Sequence, residues 1–299
     1  MKSFLTTSLF FILFSATAQA EINIFACEPE WAALSQELGG NKVTTYSATT
    51  GLQDPHYIQA RPSLIAKARR ADLLVCTGAE LEAGWLPLLQ RKSGNAAIQQ
   101  GAPGAFMATD YVQLTAIPTQ LDRSQGHIHA AGNPHIQTSP VMLLEVAKIL
   151  SMRFQQLDPD NQVYYEQRWT NFELRWQAAI NKWQQQVAAL QGLPIVIQHN
   201  SWDYLIDWLK LEKVATLEIK PGVPPSIVDL NKIVKQLEIT PASVVIHAAY
   251  QSPRASDWLV EKTGIPKVAL PFTIGGNESA SDLFSLFDNT LQLLLDASK

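Results

Sequence analysis

The sequence predicts an α/β protein of two lobes, each a small parallel sheet flanked by helices, joined by one long backbone helix. Three observations carry that expectation. Short apolar runs alternate with helical stretches in the first half, a second such series begins near Pro194, and a segment without Gly or Pro lies between them. Strands that alternate with helices build parallel sheets covered on both faces. With 299 residues, 46% apolar and 17% charged, the chain is long enough for two cores and too apolar for a disordered protein. A formal net charge of −4 offers nothing that would draw nucleic acid.

Residues 1–20 read as a cleaved signal peptide: Met1-Lys2 is a positive start, Phe4 to Ala16 is apolar, and Ala18-Gln19-Ala20 is a small-x-small cleavage site. The apolar run falls short of the roughly 20 residues that span a bilayer. Export to the periplasm is therefore expected. A lipoprotein would carry Cys as its first mature residue, where this chain has Glu21.

Residues 21–158 form the expected N-terminal lobe. Ile22–Cys27 reads as a strand, Glu30–Leu38 as a helix closed by Gly39-Gly40, and Val43–Tyr46 as a second strand. Pro62 opens a helix to about Arg70, and Asp72–Cys76 is a third strand. Cys27 and Cys76 each end a strand. In an oxidising compartment they could pair, but direct neighbours on parallel strands make poor disulfides, so two buried thiols are the expectation and a bridge the alternative.

Residues 159–191 are assigned to the linking helix. Tyr165, Trp169, Phe172, Trp176, Ala179, Trp183, Val187 and Leu190 recur at steps of three and four, the period of one helical face. Such a helix would be about 45 Å long, a strut packed against both lobes rather than a coiled-coil seam. Residues 192–299 repeat the α/β pattern, with strands at Ile195–Ile197, Ser243–Ile246 and Lys267–Leu270 and a final helix near Asp282–Leu295.

Three of the six histidines share a context. His56 follows Asp54-Pro55, His135 follows Asn133-Pro134, and His199 follows the strand Ile195–Ile197. Each lies beyond a strand or in a Pro-fixed loop, and the carboxyl ends of parallel strands are where open α/β sheets bind ligands. Three imidazoles in such places, divided between two lobes, favour a shared metal. His127 and His129 form H-x-H in a Gly-flanked loop and read as a solvated pair, with metal capture or ligation as the alternative. His247 reads as a partly buried ring bonded to backbone, and Trp202, Tyr204 and Trp208 as core packing.

Four segments carry a resemblance: DPHYIQARPSLIAKARRADLLVCTGAELE (54–82), GNPHIQTSP (132–140), IVIQHNSWDYLIDWLKLEKV (195–214) and VVIHAAYQSPRASDWLVEKTGIPKVAL (244–270). The sequence resembles the cluster A-I metal-binding proteins that deliver zinc or manganese to bacterial ABC importers. The resemblance implies two α/β lobes, a periplasmic monomer, an ABC permease as partner and His56, His135 and His199 as metal ligands. It also places His199 in the zinc class, since manganese carriers commonly have Glu there. Chemistry agrees, because imidazole suits Zn(II) whereas carboxylate suits Mn(II). The chain departs from the family at the fourth corner, where an Asp is usual but 269–276 hold no acid. Water, Glu278 or a loop His could complete the site, while Asp282 reads as a helix cap.

The expected function is thus a periplasmic carrier that captures Zn(II) between its lobes and hands it to a permease. Two alternatives stand beside it. A zinc-dependent hydrolase could use a three-His open site, although no acid sits beside any ligand in an H-E-x-x-H arrangement. A carrier of a metal chelate could fill the missing corner with its own ligand.

Overall fold

The computed structural model describes residues 21–120, 126 and 128–299. The signal-peptide reading and His127 lie outside the described residues. The first sheet joins β1 (Ile22–Ala26), β2 (Val43–Ser47), β3 (Leu73–Cys76) and β4 (Ala105–Met107) in the order β2-β1-β3-β4, every pair parallel. The second repeats that order with β5 (Pro194–Ile197), β6 (Glu212–Thr216), β7 (Val244–Ala248) and β8 (Lys267–Leu270), as β6-β5-β7-β8. Both sheets reverse winding direction beside their first strand, the place where an open α/β sheet leaves a crevice.

Side chains alternate across each strand, and the alternation divides the core. Ile22, Ile24 and Ala26 of β1 and Ile195 and Ile197 of β5 belong to one apolar cluster that runs through both lobes. Phe25 and Cys27 on the opposite face of the first sheet, and Val196 on that of the second, pack in clusters private to each lobe. The shared core joins the lobes, and the private cores close their outer faces.

Among the described residues the helices are α1 (Pro29–Gly39), α2 (Pro62–Ala68), α3 (Leu86–Ser93), α4 (Pro140–Leu157), α5 (Gln162–Gln186), α6 (Asp203–Leu209), α7 (Ile227–Ile239), α8 (Arg254–Thr263) and α9 (Leu283–Ala297). The shared core is built around α5, which carries Tyr165, Phe172, Trp176, Ile180 and Trp183 on its buried face. The helical period expected from the sequence is present, with Ile180 more buried than Ala179. The helix is shorter than expected: at 1.5 Å per residue its 25 residues span about 38 Å, and Ala188–Leu190 continue as a 3₁₀ turn. It touches both lobes. Trp176 donates its indole N–H to Pro140 O at 2.8 Å, at the start of α4 (Pro140–Leu157), and Trp183 donates to Asp288 in α9 (Leu283–Ala297) at 2.8 Å. Burying an indole without such an acceptor is unfavourable, so these two bonds also fix the rotation of the strut.

One sequence expectation fails here. Cys27 and Cys76 are joined in a disulfide rather than standing as two thiols. Cys27 lies one residue past the end of β1, opposite Cys76 in the continued register, and the Cα atoms are 4.8 Å apart, within the range a bridge spans. Both side chains point into the private N-lobe core, so adjacency on parallel strands did not prevent pairing. Asp282 caps α9 through a reciprocal capping box with Ser285, as its sequence context suggests.

Candidate metal centre

Two of the histidine loops use one local device. In Asp54-Pro55-His56, the Asp54 Oδ1 atom accepts both the His56 backbone N–H at 3.0 Å and its ring Nδ1–H at 2.8 Å. In Asn133-Pro134-His135, Asn133 Oδ1 does the same at 3.1 and 2.7 Å. Proline fixes the backbone between the Asx residue and the histidine, so the side chain two positions back reaches both groups. The Asn133 amide nitrogen donates to Asn200 O at 2.8 Å and to Asp203 at 3.0 Å, which leaves its oxygen toward His135. An acceptor at Nδ1 fixes the tautomer in which Nε2 carries the lone pair, the state a metal ligand requires.

His199 reaches the same state from farther away. Its Nδ1 donates to Glu218 Oε2 at 2.8 Å, and Glu218 also accepts Gly222 N at 2.8 Å, closing the loop after β6. Sequence reasoning missed Glu218, which lies 19 residues beyond His199 and carries no motif.

The three expected histidines come together. Ring centroids are 5.7 Å apart for His56 and His135, 5.8 Å for His135 and His199, and 6.3 Å for His56 and His199. All three rings are nearly buried. A fourth ring joins them, correcting the reading of His129 as solvated. His129 lies 5.4 Å from His56 and 6.1 Å from His135 by ring centroid, and the Nε2 atoms of His56 and His129 are 3.4 Å apart. Metal–nitrogen bonds of about 2.0–2.1 Å in a tetrahedron give edges of about 3.3–3.4 Å. The separation matches that edge.

Glu278, the other protein candidate for the fourth corner, is exposed on the loop before α9. His247 stands on β7, buried, with Nδ1 lacking a hydrogen-bond partner among the described residues. Burial and the nearby Lys267 hold it below the usual imidazole range despite Asp257, so it is a neutral ring inside the sheet. Trp202 packs on Phe272, which in turn packs on His135, so Trp202 is one ring removed from the cluster. Tyr204 does more than fill the core: its hydroxyl donates to Asn133 O at 2.6 Å and accepts Thr115 N at 3.1 Å, tying the C-terminal lobe to the His135 loop.

The surroundings are acidic behind the rings and aromatic beside them. Burial pushes the Asp54 carboxyl up, but its hydrogen bonds with His56 and the charges of His56 and His199 outweigh that and hold it below the usual range. Tyr250 is raised well above an ordinary phenol by burial, with Asp54 and Glu218 adding, and stays neutral. Cavities of about 570 and 210 Å³ adjoin the cluster; His56 and His199 line the first, and His129, His135 and His199 the second. Cys27, Cys76 and Glu82 also bring ligand-type atoms together, but sulfurs bonded to each other are not thiolate ligands. Three imidazoles whose Nδ1 atoms are engaged from behind by Asp54, Asn133 and Glu218, with His129 beside His56, can hold a borderline-soft divalent cation.

The sequence model of a family described as "Zinc-uptake complex component A periplasmic", ZnuA, matches residues 24–297. Among curated proteins, the high-affinity zinc uptake system protein ZnuA of Bacillus subtilis is 22% identical over 248 residues, 82% of this chain and 76% of its own. The metal ABC transporter substrate-binding lipoprotein SloC of Streptococcus mutans is 21% identical, over 86% of this chain and 82% of its own. The manganese ABC transporter lipoprotein PsaA of Streptococcus pneumoniae is 25% identical over 150 residues, 50% of this chain and 46% of its own. A crystal structure of ZnuA superposes with a TM-score of 0.75 at 20% identity, covering 93% of this chain and all of the other. A cadmium-bound periplasmic metal-binding protein from Candidatus Liberibacter asiaticus gives 0.75 at 15% identity, with the same coverage.

Proposed function

This chain belongs to the ZnuA family of zinc-uptake components, and we propose that its cargo is Zn(II), held between the lobes by His56, His135, His199 and His129. It is the substrate-binding component of a metal ABC transporter, a binding protein and not an enzyme. Zinc rather than manganese is the reading that the donor set supports, since imidazole nitrogen is a good ligand for Zn(II) and hard oxygen donors for Mn(II). In this reading Asp54, Asn133 and Glu218 orient the rings from behind.

The observation that carries the proposal is the 3.4 Å edge between His56 and His129 beside two further imidazoles whose Nδ1 atoms are already engaged. His56 and His135 come from the N-terminal lobe and His199 from the C-terminal lobe, so the ion bridges the lobes and holds the cleft shut. The cargo then passes to a permease driven by an ATPase. In this reading the protein acts in the periplasm as a monomer.

Competitive titration of the metal-free protein with Zn(II) and Mn(II) tests the cargo. Zinc is expected to bind at least about 100-fold more tightly, by the ligand preferences of the two ions. Tighter manganese binding would overturn the reading. The cavity of about 570 Å³ beside His56 and His199 is larger than a bare ion needs and supports a second reading, uptake of a zinc chelate. An organic molecule in the mass spectrum of native protein, absent after denaturation, would favour that reading over the bare ion.

A further inference from the structure

The loop that carries His129 is held by a piece of backbone in an unfavourable conformation. Gly78, Ala79 and Glu80 follow one another with φ of 86°, 46° and 68°, a left-handed turn that includes two residues with side chains. A Cβ atom crowds its own carbonyl there, and such residues persist only where their surroundings fix them. The surroundings here are specific. The buried Glu82 carboxyl group accepts Thr77 N at 2.7 Å and Gly78 N at 3.1 Å, clamping the entry to the turn. A Cβ at Gly78 would lie 2.6 Å from Thr109 Oγ1 and 2.9 Å from Met107 Cβ, so the chain must pass close to β4 at that point.

The turn presents the Glu80 side chain outward, and its Oε2 accepts the backbone N–H of Ala130 at 2.9 Å. Ala130 is the residue after His129. The same loop closes on itself through Gly132 N to His129 O at 3.2 Å, and Asn133 N donates to Thr115 O at 2.8 Å. On its other side Gly126 abuts Pro221 so closely that a Cβ would meet Pro221 O at 2.3 Å. The segment is therefore seated between the lobes, and Glu80 is its carboxylate tether on the N-terminal side.

We infer that Glu80 is the positioning residue for the loop imidazole: the left-handed turn aims its carboxylate at Ala130, keeps His129 against His56, and so slows release of the metal. The inference rests on the reading of His129 as a zinc ligand. It gives the strained turn a task. A relaxed turn would point the residue at position 80 elsewhere and leave the loop to swing, and the fourth ligand with it. Glu80 touches no metal itself and acts only through the loop.

The test measures zinc release from the mature full-length protein into excess chelator by stopped flow, with association rates and the melting temperature of the metal-free form alongside. Glu80→Ala is expected to speed release about three- to tenfold, the range one hydrogen bond supports, with association unchanged. Glu80→Gln, which keeps an acceptor oxygen, should return the rate to within about twofold of the wild type. Glu80→Gly removes the tether and also the strain, so it should raise the melting temperature while still releasing zinc faster. Stability and retention then move in opposite directions, which a merely structural role cannot produce.

In a His129→Ala background, Glu80→Ala should add nothing. Wild-type release from Glu80→Ala beside fast release from His129→Ala would overturn the role of Glu80 and leave the ligand set standing. Wild-type release from His129→Ala would overturn the fourth ligand, and the positioning role with it. Release rates that follow melting temperature across all variants, or a full Glu80→Ala effect without His129, would also overturn it. A protein that binds no zinc would sink the cargo reading beneath both.

Discussion

His56 and His135 are oriented by residues two positions away, whereas His199 and His129 are held from other parts of the chain. Asp54 and Asn133 hold the first pair through backbone and ring together. Glu218 holds the ring of His199 from the loop beyond β6, and Glu80 holds the loop of His129 from a turn beyond β3. The local pair is set as soon as the Asx-Pro-His turn forms. The distant pair is set only when the lobes and their loops have assembled, and in the proposed zinc site those are the rings through which opening of the cleft would act.

Removing the rings themselves gives the largest effect and the first way to break this comparison. His56→Ala, His135→Ala and His199→Ala should each weaken Zn(II) binding by about two orders of magnitude or more and abolish most of the rise in melting temperature that zinc produces. His129→Ala should cost only about tenfold, because water can take the corner a loop ligand leaves. Isothermal titration and a thermal scan of the four variants decide it. A loss at His129 as large as at His199 would make the loop ring an equal partner and erase the ranking.

Removing the partners behind the rings sharpens it. Asp54→Ala and Glu218→Ala should each lower zinc affinity about 10- to 100-fold, the usual range for groups that orient a ligating histidine. Glu218→Gln, which retains an acceptor for Nδ1, should recover most of that loss. The distant partner has a second duty through Gly222, so Glu218→Ala should also increase protease cutting near 218–222, whereas Asp54→Ala should not. Unchanged affinity in Glu218→Ala would mean that packing alone orients His199.

The same division explains what could be read from the chain. Strands β1, β3, β5, β7 and β8 were legible because they are short apolar runs between turn residues, β2 because its β-branched and aromatic residues follow Gly39-Gly40, and α5 because its aromatic face repeats over seven turns. The edge strand β6 was not, since Glu212–Thr216 fully buries only Ala215 and carries no apolar run. The three-residue β4 gives too short a pattern to see. At the site, His56 and His135 announce themselves through Asx and Pro in the two positions before them, and His199 through the strand before it. Glu218 and Glu80 have no local signature, because each works on a residue 19 or 50 positions away. The disulfide misled for a different reason: neighbouring positions on parallel strands rarely bridge, but here the Cα atoms of Cys27 and Cys76 are 4.8 Å apart, within the range a bridge spans.

The smallest effect sets the metal site against another buried cluster of the N-terminal lobe. Glu28, Glu30 and Glu82 are buried beyond the carboxyl ends of β1 and β3, where Thr77 Oγ1 donates to Glu28 at 3.2 Å and Thr273 of the other lobe donates to Glu30. Burial, opposed by hydrogen bonds, pushes Glu30 and Glu82 from 4.5 up to about 7, and burial with the neighbouring charges pushes Glu28 well up. Acids with raised values keep protons in the folded state that the unfolded chain releases. Their contribution is full below about pH 4.5 and is lost as pH rises toward 7. Imidazole ligands have the opposite demand, since they must be unprotonated to hold the ion. Between pH 5 and 8 the metal-free protein should therefore lose roughly 3–8 °C of melting temperature while its zinc affinity rises. Glu82→Gln should flatten the stability profile and leave the pH dependence of zinc binding in place. If the melting temperature rose with pH instead, these carboxyls would be ionised in the fold, and the two clusters would answer to pH in the same direction.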